Sequence, residues 1–478
     1  MSKYTHLKTV QSDLQEGKTT CSKLVAHYLS NIEATKDLNA YIEVFAEEAK
    51  VHATALDEKY NNDPTSVGKL FGMVLSIKDL LCYKDHKVTG SSKILQGFTS
   101  LYSATAIERL LAEDAIIIGR VNCDEFGMGS ANEHSVYGAV KNGMDSSKVS
   151  GGSSGGSAVA VQMDTCLASI GSDTGGSVRQ PAAFCGLVGM KPSYGRISRH
   201  GLLAYASSFD QIGTVSNSVE DASVLLEVMA GSDQYDGTCS NKSVESYSAI
   251  QEPRADYKIA YFGNAVHNDN LDSSIRTATE QMLSKLKEVG HQVDAVDFEY
   301  LDYLVPTYYV LTTAEASSNL SRYDGMRYGY RSEGAGDLTQ SYKATRTEGF
   351  GTEVKRRIML GTFVLSSGYY DAYFSKAQKV RRLVRDFMHQ LFDTYDFLIL
   401  PTTPETAWPI GKKEEDPTKT YLADVYTVLA NLAGIPAISI PLGKGDDGMP
   451  FGIQVMARAF NERDLLNFTS HLSKNPLL

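Results

Sequence analysis

From residue 151 the chain reads Gly151-Gly152-Ser153-Ser154-Gly155-Gly156-Ser157, then Ala158 to Met163 and Leu167 to Ile170. It continues as Gly171-Ser172-Asp173-Thr174-Gly175-Gly176-Ser177-Val178-Arg179-Gln180-Pro181. Glycine and serine are dense over the wider segment Gly127 to Gly189, yet apolar stretches interrupt it. A flexible linker would be polar throughout. This texture describes loops that need unusual backbone angles inside a folded site. Ala158–Met163 reads as a helix and Leu167–Ile170 as a strand, so the two serine-rich loops belong to an α/β layer structure.

Outward from this stretch the same texture continues. Met73 to Ile77 and Ala115 to Ile118 are further short apolar runs that predict strands, alternating with helical segments. Ser76-Ile77-Lys78-Asp79 puts a lysine directly after the first of them. Residues 5 to 60 read as helices: Leu24, Val25, Tyr28, Leu29 and Ile32 recur at helical spacing behind the cap candidates Thr19 and Thr20. Downstream, Ile259 to Phe262 predicts a strand. A helix then starts near Asp272, with Ile275, Met282, Leu283 and Leu286 on one face and Gly290 ending it, and Val293 to Val296 returns as a strand. Phe397–Leu400, Ala437–Ile440 and Ile453–Met456 predict three more. The polar stretch Gly231 to Asp256 reads as a surface excursion and not as a domain boundary.

The chain has 478 residues, 42% hydrophobic and 22% charged, ordinary globular values for a core that needs no disulfide staples. Its six cysteines (Cys21, Cys82, Cys123, Cys166, Cys185, Cys239) show neither C-x-x-C pairing nor metal-ligand spacing with histidine. They read as reduced thiols of a cytoplasmic protein, and Cys185 as a small core residue. Met1 to Val25 lacks the apolar region of a secretory signal, and no run approaches the ~18 apolar residues of a membrane span. A net charge of −11 argues against this chain as the main nucleic-acid surface and does not exclude a partner that supplies one.

Several patterns fail in context. Gly151-Gly152-Ser153-Ser154-Gly155 fits the G-x-S-x-G elbow, but the preceding Asn142–Ser150 is polar and turn-like where a buried strand is required. Gly17-Lys18-Thr19 resembles the end of a phosphate loop, yet Ser12 replaces its first glycine, and a helix stop is the better reading. Ser284 to Lys287 matches S-x-x-K on the polar face of an amphipathic helix. The ten histidines form no cluster near the serines, and the nearest, His134, reads as a surface or supporting residue.

What survives is Lys78 together with the loops of Ser153 and Ser177. These motifs, their separation and the upstream lysine resemble the amidase signature family. The resemblance implies one α/β domain over residues 1–478, with N-terminal helices in 1–60, a catalytic core in 65–215 and the remainder of the same domain in 216–478. Its sheet would be mixed, mostly parallel and twisted, with helices on both faces. Ser177 would be the nucleophile, Ser153 the proton shuttle and Lys78 the base in its neutral form, which burial after a strand can supply. The backbone N–H groups of Thr174, Gly175 and Gly176 would form the oxyanion hole. Asp173 and Arg179 flank the nucleophile and would pair to hold the loop.

Within that family the chain is similar to the A subunits of glutamyl-tRNA(Gln) amidotransferases. Glu315-Ala316-Ser317-Ser318-Asn319-Leu320, Ser366-Ser367-Gly368-Tyr369-Tyr370-Asp371-Ala372-Tyr373 and Asn431-Leu432-Ala433-Gly434-Ile435-Pro436 carry this likeness. It implies a glutaminase without a cofactor of its own, in a hetero-oligomer with B and C subunits. The partner would use ATP and Mg, hold the misacylated tRNA and amidate it with the ammonia; aspartyl-tRNA(Asn) is a further possible acceptor. Arg357 would meet the glutamine α-carboxylate and Asp424 its α-ammonium, with Tyr308 lining the pocket. The sequence leaves open which of the adjacent Arg356 and Arg357 points inward. Ser150, Leu429 and Cys123 depart from the family pattern at loop positions. A stand-alone amidase on another small amide shares the whole catalytic core. A non-catalytic assembly role is the other alternative, against which the intact Lys78, Ser153 and Ser177 weigh.

Overall fold

The apolar runs assemble into one eleven-stranded sheet. The computed structural model describes residues 3–334, 336–412 and 422–474. Its strands are β1 (Tyr41–Val44), β2 (Val74–Lys78), β3 (Ile116–Val121), β4 (Ala168–Asp173), β5 (Val188–Lys191) and β6 (Gln211–Ser216). After them come β7 (Lys258–Phe262), β8 (Gln292–Val296), β9 (Phe397–Pro401), β10 (Ala437–Lys444) and β11 (Pro450–Ala457). They lie in the order β1-β3-β2-β4-β6-β5-β10-β11-β9-β7-β8.

The sheet is mixed, as expected, but it is not mostly parallel. Parallel pairing is confined to two blocks, β3-β2-β4 and β9-β7-β8. The centre from β4 through β6, β5, β10 and β11 to β9 is antiparallel, as is the β1–β3 edge. Connection length explains much of this. A helix, Thr105–Ala112, fills the crossover from β2 to β3, and Ser273–Glu288 fills that from β7 to β8. Only Gly445 to Met449 separates β10 from β11, and so short a link joins antiparallel neighbours alone.

The region read as wholly helical, 5 to 60, holds Leu7–Gln15, Cys21–Ala34 and Ala46–Asn62, but also β1. Tyr-Ile-Glu-Val is short and only half-buried, so its pairing with β3, remote in sequence, decides its conformation. Gly17-Lys18-Thr19 follows the end of the first helix, as a stop signal should. Asp272 caps Ser273–Glu288 by accepting from the Ser274 N–H at 2.8 Å.

Helices cover both faces. On β9, Phe397 and Ile399 join a core with the N-terminal helices, while Leu398 and Leu400 join a second core with helices Leu301–Asn319 and Lys376–Thr394. Lys78 ends β2 and Asp173 ends β4, and these strands run parallel with Ile77 beside Ile170. Their carboxyl ends therefore sit together, the place where α/β sheets build sites. Among the described residues no helix is long and apolar enough to cross a membrane.

Candidate active site

Lys78 is fully buried where β2 ends. Its Nζ donates to Ser153 Oγ at 2.7 Å, Ser154 Oγ at 2.8 Å and Ser172 Oγ at 3.0 Å. Burial pulls this ammonium down to about 8, against the opposing pull of Cys123, Asp124, Asp173 and Asp210. Hydroxyls around it accept its hydrogen bonds without supplying the countercharge that would hold the ammonium form. Ser154 and Ser172 were not singled out in the sequence; their signal was adjacency to the motif serines.

Ser153 follows a cis Gly152–Ser153 peptide in the turn before helix Gly155–Gln162. No strand precedes this turn, which disposes of the G-x-S-x-G elbow. The Asp124 N–H donates to the Ser153 carbonyl at 3.2 Å, and the Gly152 N–H to Gln180 Oε1 at 2.9 Å. Ser177 lies in the loop between β4 and helix Arg179–Phe184, and its carbonyl accepts from the Ser154 N–H at 3.1 Å. The two loops are thus joined through backbone. The Ser153 and Ser177 hydroxyls make no direct hydrogen bond among the described residues.

Asp173 organises the Ser177 loop. Its carboxylate accepts from Gly176 N–H at 2.9 Å, Val178 N–H at 3.2 Å and Asn431 Nδ2 at 3.0 Å. The Arg179 guanidinium grips it in a fork at 3.0 Å through both Nε and Nη2. Burial pushes Asp173 up, but Arg179, Lys191 and the Asn431 hydrogen bond together outweigh it and hold the carboxyl at about 2. Arg179 continues to Gln454 Oε1 at 2.8 Å and Asn431 Oδ1 at 2.7 Å. The expected Asp173–Arg179 pair is therefore present, with partners from distant chain that the sequence did not reveal.

One expectation needs correcting. The Gly176 N–H is already committed to Asp173, so in this conformation it is no oxyanion donor. The N–H groups of Thr174, Gly175 and Ser177 have no acceptor among the described residues. Glycine at 175 and 176 also serves close approach: a Cβ would lie 2.5 Å from the Tyr308 hydroxyl at Gly175 and 2.3 Å from Thr427 Oγ1 at Gly176, where φ is +133°.

Tyr308, Arg357 and Asp424 come from elements far apart in sequence and are linked through Tyr309, whose ring lies under the Arg357 guanidinium and whose hydroxyl donates to Asp424. Tyr308, on helix Leu301–Asn319, is buried against Gly175. Arg357, on helix Thr352–Val364, has a side chain only 5% exposed, whereas that of Arg356 is 52% exposed. Arg357 is the inward one. It donates to Glu353 Oε1 at 2.8 Å and to the Tyr205 hydroxyl at 2.9 Å. Asp424 is buried and accepts from Ser130 Oγ at 2.8 Å and the Tyr309 hydroxyl at 3.0 Å, and burial raises it to about 6.

His134 enters only as support, its backbone N–H donating to Asp124 at 3.0 Å. Cys185 is a buried thiol that burial pushes up, out of reach of nucleophilic use. Among the described residues no group of acids, histidines or cysteines could hold a metal ion.

A sequence profile of the Amidase family matches residues 23–466. The glutamyl-tRNA(Gln) amidotransferase A subunit of Prosthecochloris aestuarii is 48% identical over 465 residues, 97% of each chain. The crystal structure of the corresponding A subunit of Thermotoga maritima, 37% identical, superposes with a TM-score of 0.78 over 95% of this chain and 92% of that one. The peptide amidase of Stenotrophomonas maltophilia, 26% identical, gives 0.81 over 97% and 95%. The shared fold therefore extends to enzymes with other amide substrates, while the higher identities lie with the amidotransferase subunits. On these matches the chain belongs to the amidase family and, within it, to the A subunits of glutamyl-tRNA(Gln) amidotransferases.

Proposed function

We propose that this chain is the glutamine-hydrolysing component of a tRNA-dependent amidotransferase. The observation that carries the chemistry is the buried Lys78 Nζ, 2.7 Å from Ser153 Oγ at the foot of the nucleophile loop. Ser177 Oγ attacks the amide carbon of glutamine, and its proton passes through the Ser153 hydroxyl to neutral Lys78. The hydroxyl-to-hydroxyl contact, not made in this conformation, closes when substrate is bound, as catalytic hydrogen bonds commonly do. Negative charge developing on the carbonyl oxygen meets the uncommitted N–H groups of Gly175 and Ser177, with Thr174 beside them. The proton returns from Lys78 to the nitrogen, ammonia leaves, and water opens the acyl-enzyme to give glutamate.

Arg357 faces the α-carboxylate and Asp424 the α-ammonium, with Tyr308 forming a wall. A buried cation and a buried anion, placed to meet the two charged α-groups, would select glutamine over uncharged amides. The ammonia passes to a partner within a complex of A, B and C subunits. That partner binds the misacylated tRNA and uses ATP with Mg to activate its glutamate, or aspartate where the complex also serves tRNA(Asn). The chain itself then needs no cofactor and works in the cytoplasm as a single catalytic domain.

Ser177→Ala tests the division of labour. Glutamine-dependent amidation by the assembled complex is expected to vanish while ammonia-dependent amidation continues at the wild-type rate. Equal loss of both would overturn the assignment.

A further inference from the structure

Two adjacent carboxylates, Asp124 and Glu125, hold different parts of the site. Asp124 accepts from the Asn132 and His134 N–H groups and, through its own N–H, braces the Ser153 carbonyl. Glu125 is buried, and its two oxygens accept from the Gly351 N–H at 3.1 and 2.9 Å, while the Ser92 hydroxyl also donates to it. Gly351 immediately precedes helix Thr352–Val364, and no side-chain cap at that position closes the helix N-terminus. A Cβ on Gly351 would lie 2.3 Å from Glu125 Oε2, so glycine is what lets the carboxylate reach this N–H.

A helix N-terminus carries orphan N–H groups and partial positive charge, and a carboxylate fixed there sets how the helix enters. The first turn of this helix bears Glu353, and one turn on is Arg357, gripped by Glu353 at 2.8 Å. A cavity of about 320 Å³, lined by Glu125, Glu133, His134, Gly351 and Glu353 among others, opens beside the contact. The helix end thus has room to shift when its anchor is removed.

We infer that Glu125 is a positioning residue for substrate recognition: by pinning Gly351 it registers the Arg357 helix against the segment that braces Ser153. The inference rests on the reading of Arg357 as the partner of the glutamine α-carboxylate. One short stretch, Asp124-Glu125, then aligns the bond-breaking group and the substrate-binding group, which lie on separate elements.

The test compares kcat/KM for glutamine with that for butyramide, which is glutamine's chain without its charged α-groups, in the full-length protein with its partner subunits. Glu125→Ala is expected to raise the glutamine KM and lower the glutamine-to-butyramide ratio about tenfold, with kcat for butyramide kept. Glu125→Gln, which retains an acceptor oxygen, should recover most of the ratio. Gly351→Ala should lower the ratio alone but add little to Glu125→Ala, because the group it displaces is gone. Should Glu125→Ala not fold, Glu125→Gln and Gly351→Ala carry the same comparison. An unchanged ratio, equal loss on both amides, or multiplying effects of the two substitutions would overturn the inference. Arg357→Ala, run alongside, separates the two levels. If it also leaves the ratio unchanged, the pocket reading falls and the inference with it. If it alone lowers the ratio, only the role of Glu125 is wrong.

Discussion

Lys78 combines two properties that oppose each other in water. It must be neutral to accept a proton, yet a lysine on a surface stays charged to about pH 10.4. Complete burial resolves this by pulling the group down to about 8. The sign follows: below about 8 the ammonium dominates and cannot act as base, and above it the amine is free. The kcat/KM for a neutral amide such as butyramide, which avoids Asp424, is therefore expected to climb through a single-proton limb near pH 8 and then level. Lys78→Arg, charged at every accessible pH, should show no such limb and no activity. A wild-type profile flat from pH 6 to 9 would remove Lys78 as the base. The roles proposed for Ser153 and Ser177 came from the resemblance of their motifs to the amidase family, a signal local enough to be read at this scale. The shares of Ser154 and Ser172 were not legible there, because they follow from how β2, β4 and the Ser153 turn meet.

At the scale of elements, the loop of the proposed nucleophile Ser177 is held from inside the protein. Asp173 collects two loop N–H groups and the Arg179 fork, and Arg179 reaches Gln454 on β11 and Asn431 on helix Val428–Ala433. Both side chains are fully buried, so removing one leaves the other's charge without compensation. Arg179→Ala is expected to cost about 3–5 kcal/mol in denaturant unfolding and to abolish hydrolysis together with the loop's geometry. A stable but inactive variant would instead put Arg179 in contact with substrate. Asp173, held at about 2, keeps its contribution at neutral pH and loses it only as pH falls from about 4 toward 2. The pairing was readable from the two opposite charges flanking the serine, together with the family resemblance. The commitment of the Gly176 N–H was not, because it depends on which way the carboxylate turns.

Across the whole molecule, the antiparallel centre of the sheet stitches an early and a late part of the chain. β5 pairs with β6 on one side and with β10 on the other. A fragment ending at Ser216 would contain Lys78, Ser153 and Ser177 yet leave β5 as an open edge and strip Arg179 of Gln454 and Asn431. Such a fragment is expected to show no cooperative thermal transition by circular dichroism, whereas the full chain shows one. A fragment that melts cooperatively and cleaves butyramide would mean that the catalytic core is self-sufficient.

Strands were recognisable wherever a run was apolar enough to be buried on both faces, as at β2, β3, β4 and β9. Val188–Lys191 and Gln211–Ser216 escaped notice because glycine, lysine and glutamine interrupt them, although every residue in both is buried. By itself the sequence determined the family and, through that resemblance, the residues proposed for the chemistry, because a lysine after a strand and two glycine-serine loops are short local motifs. The tertiary structure alone decided that Arg357 and not Arg356 faces inward, that β5 joins β10, and that Glu125 meets Gly351. Those facts rest on burial and hydrogen-bond partners contributed by residues hundreds of positions away, which local spacing does not encode.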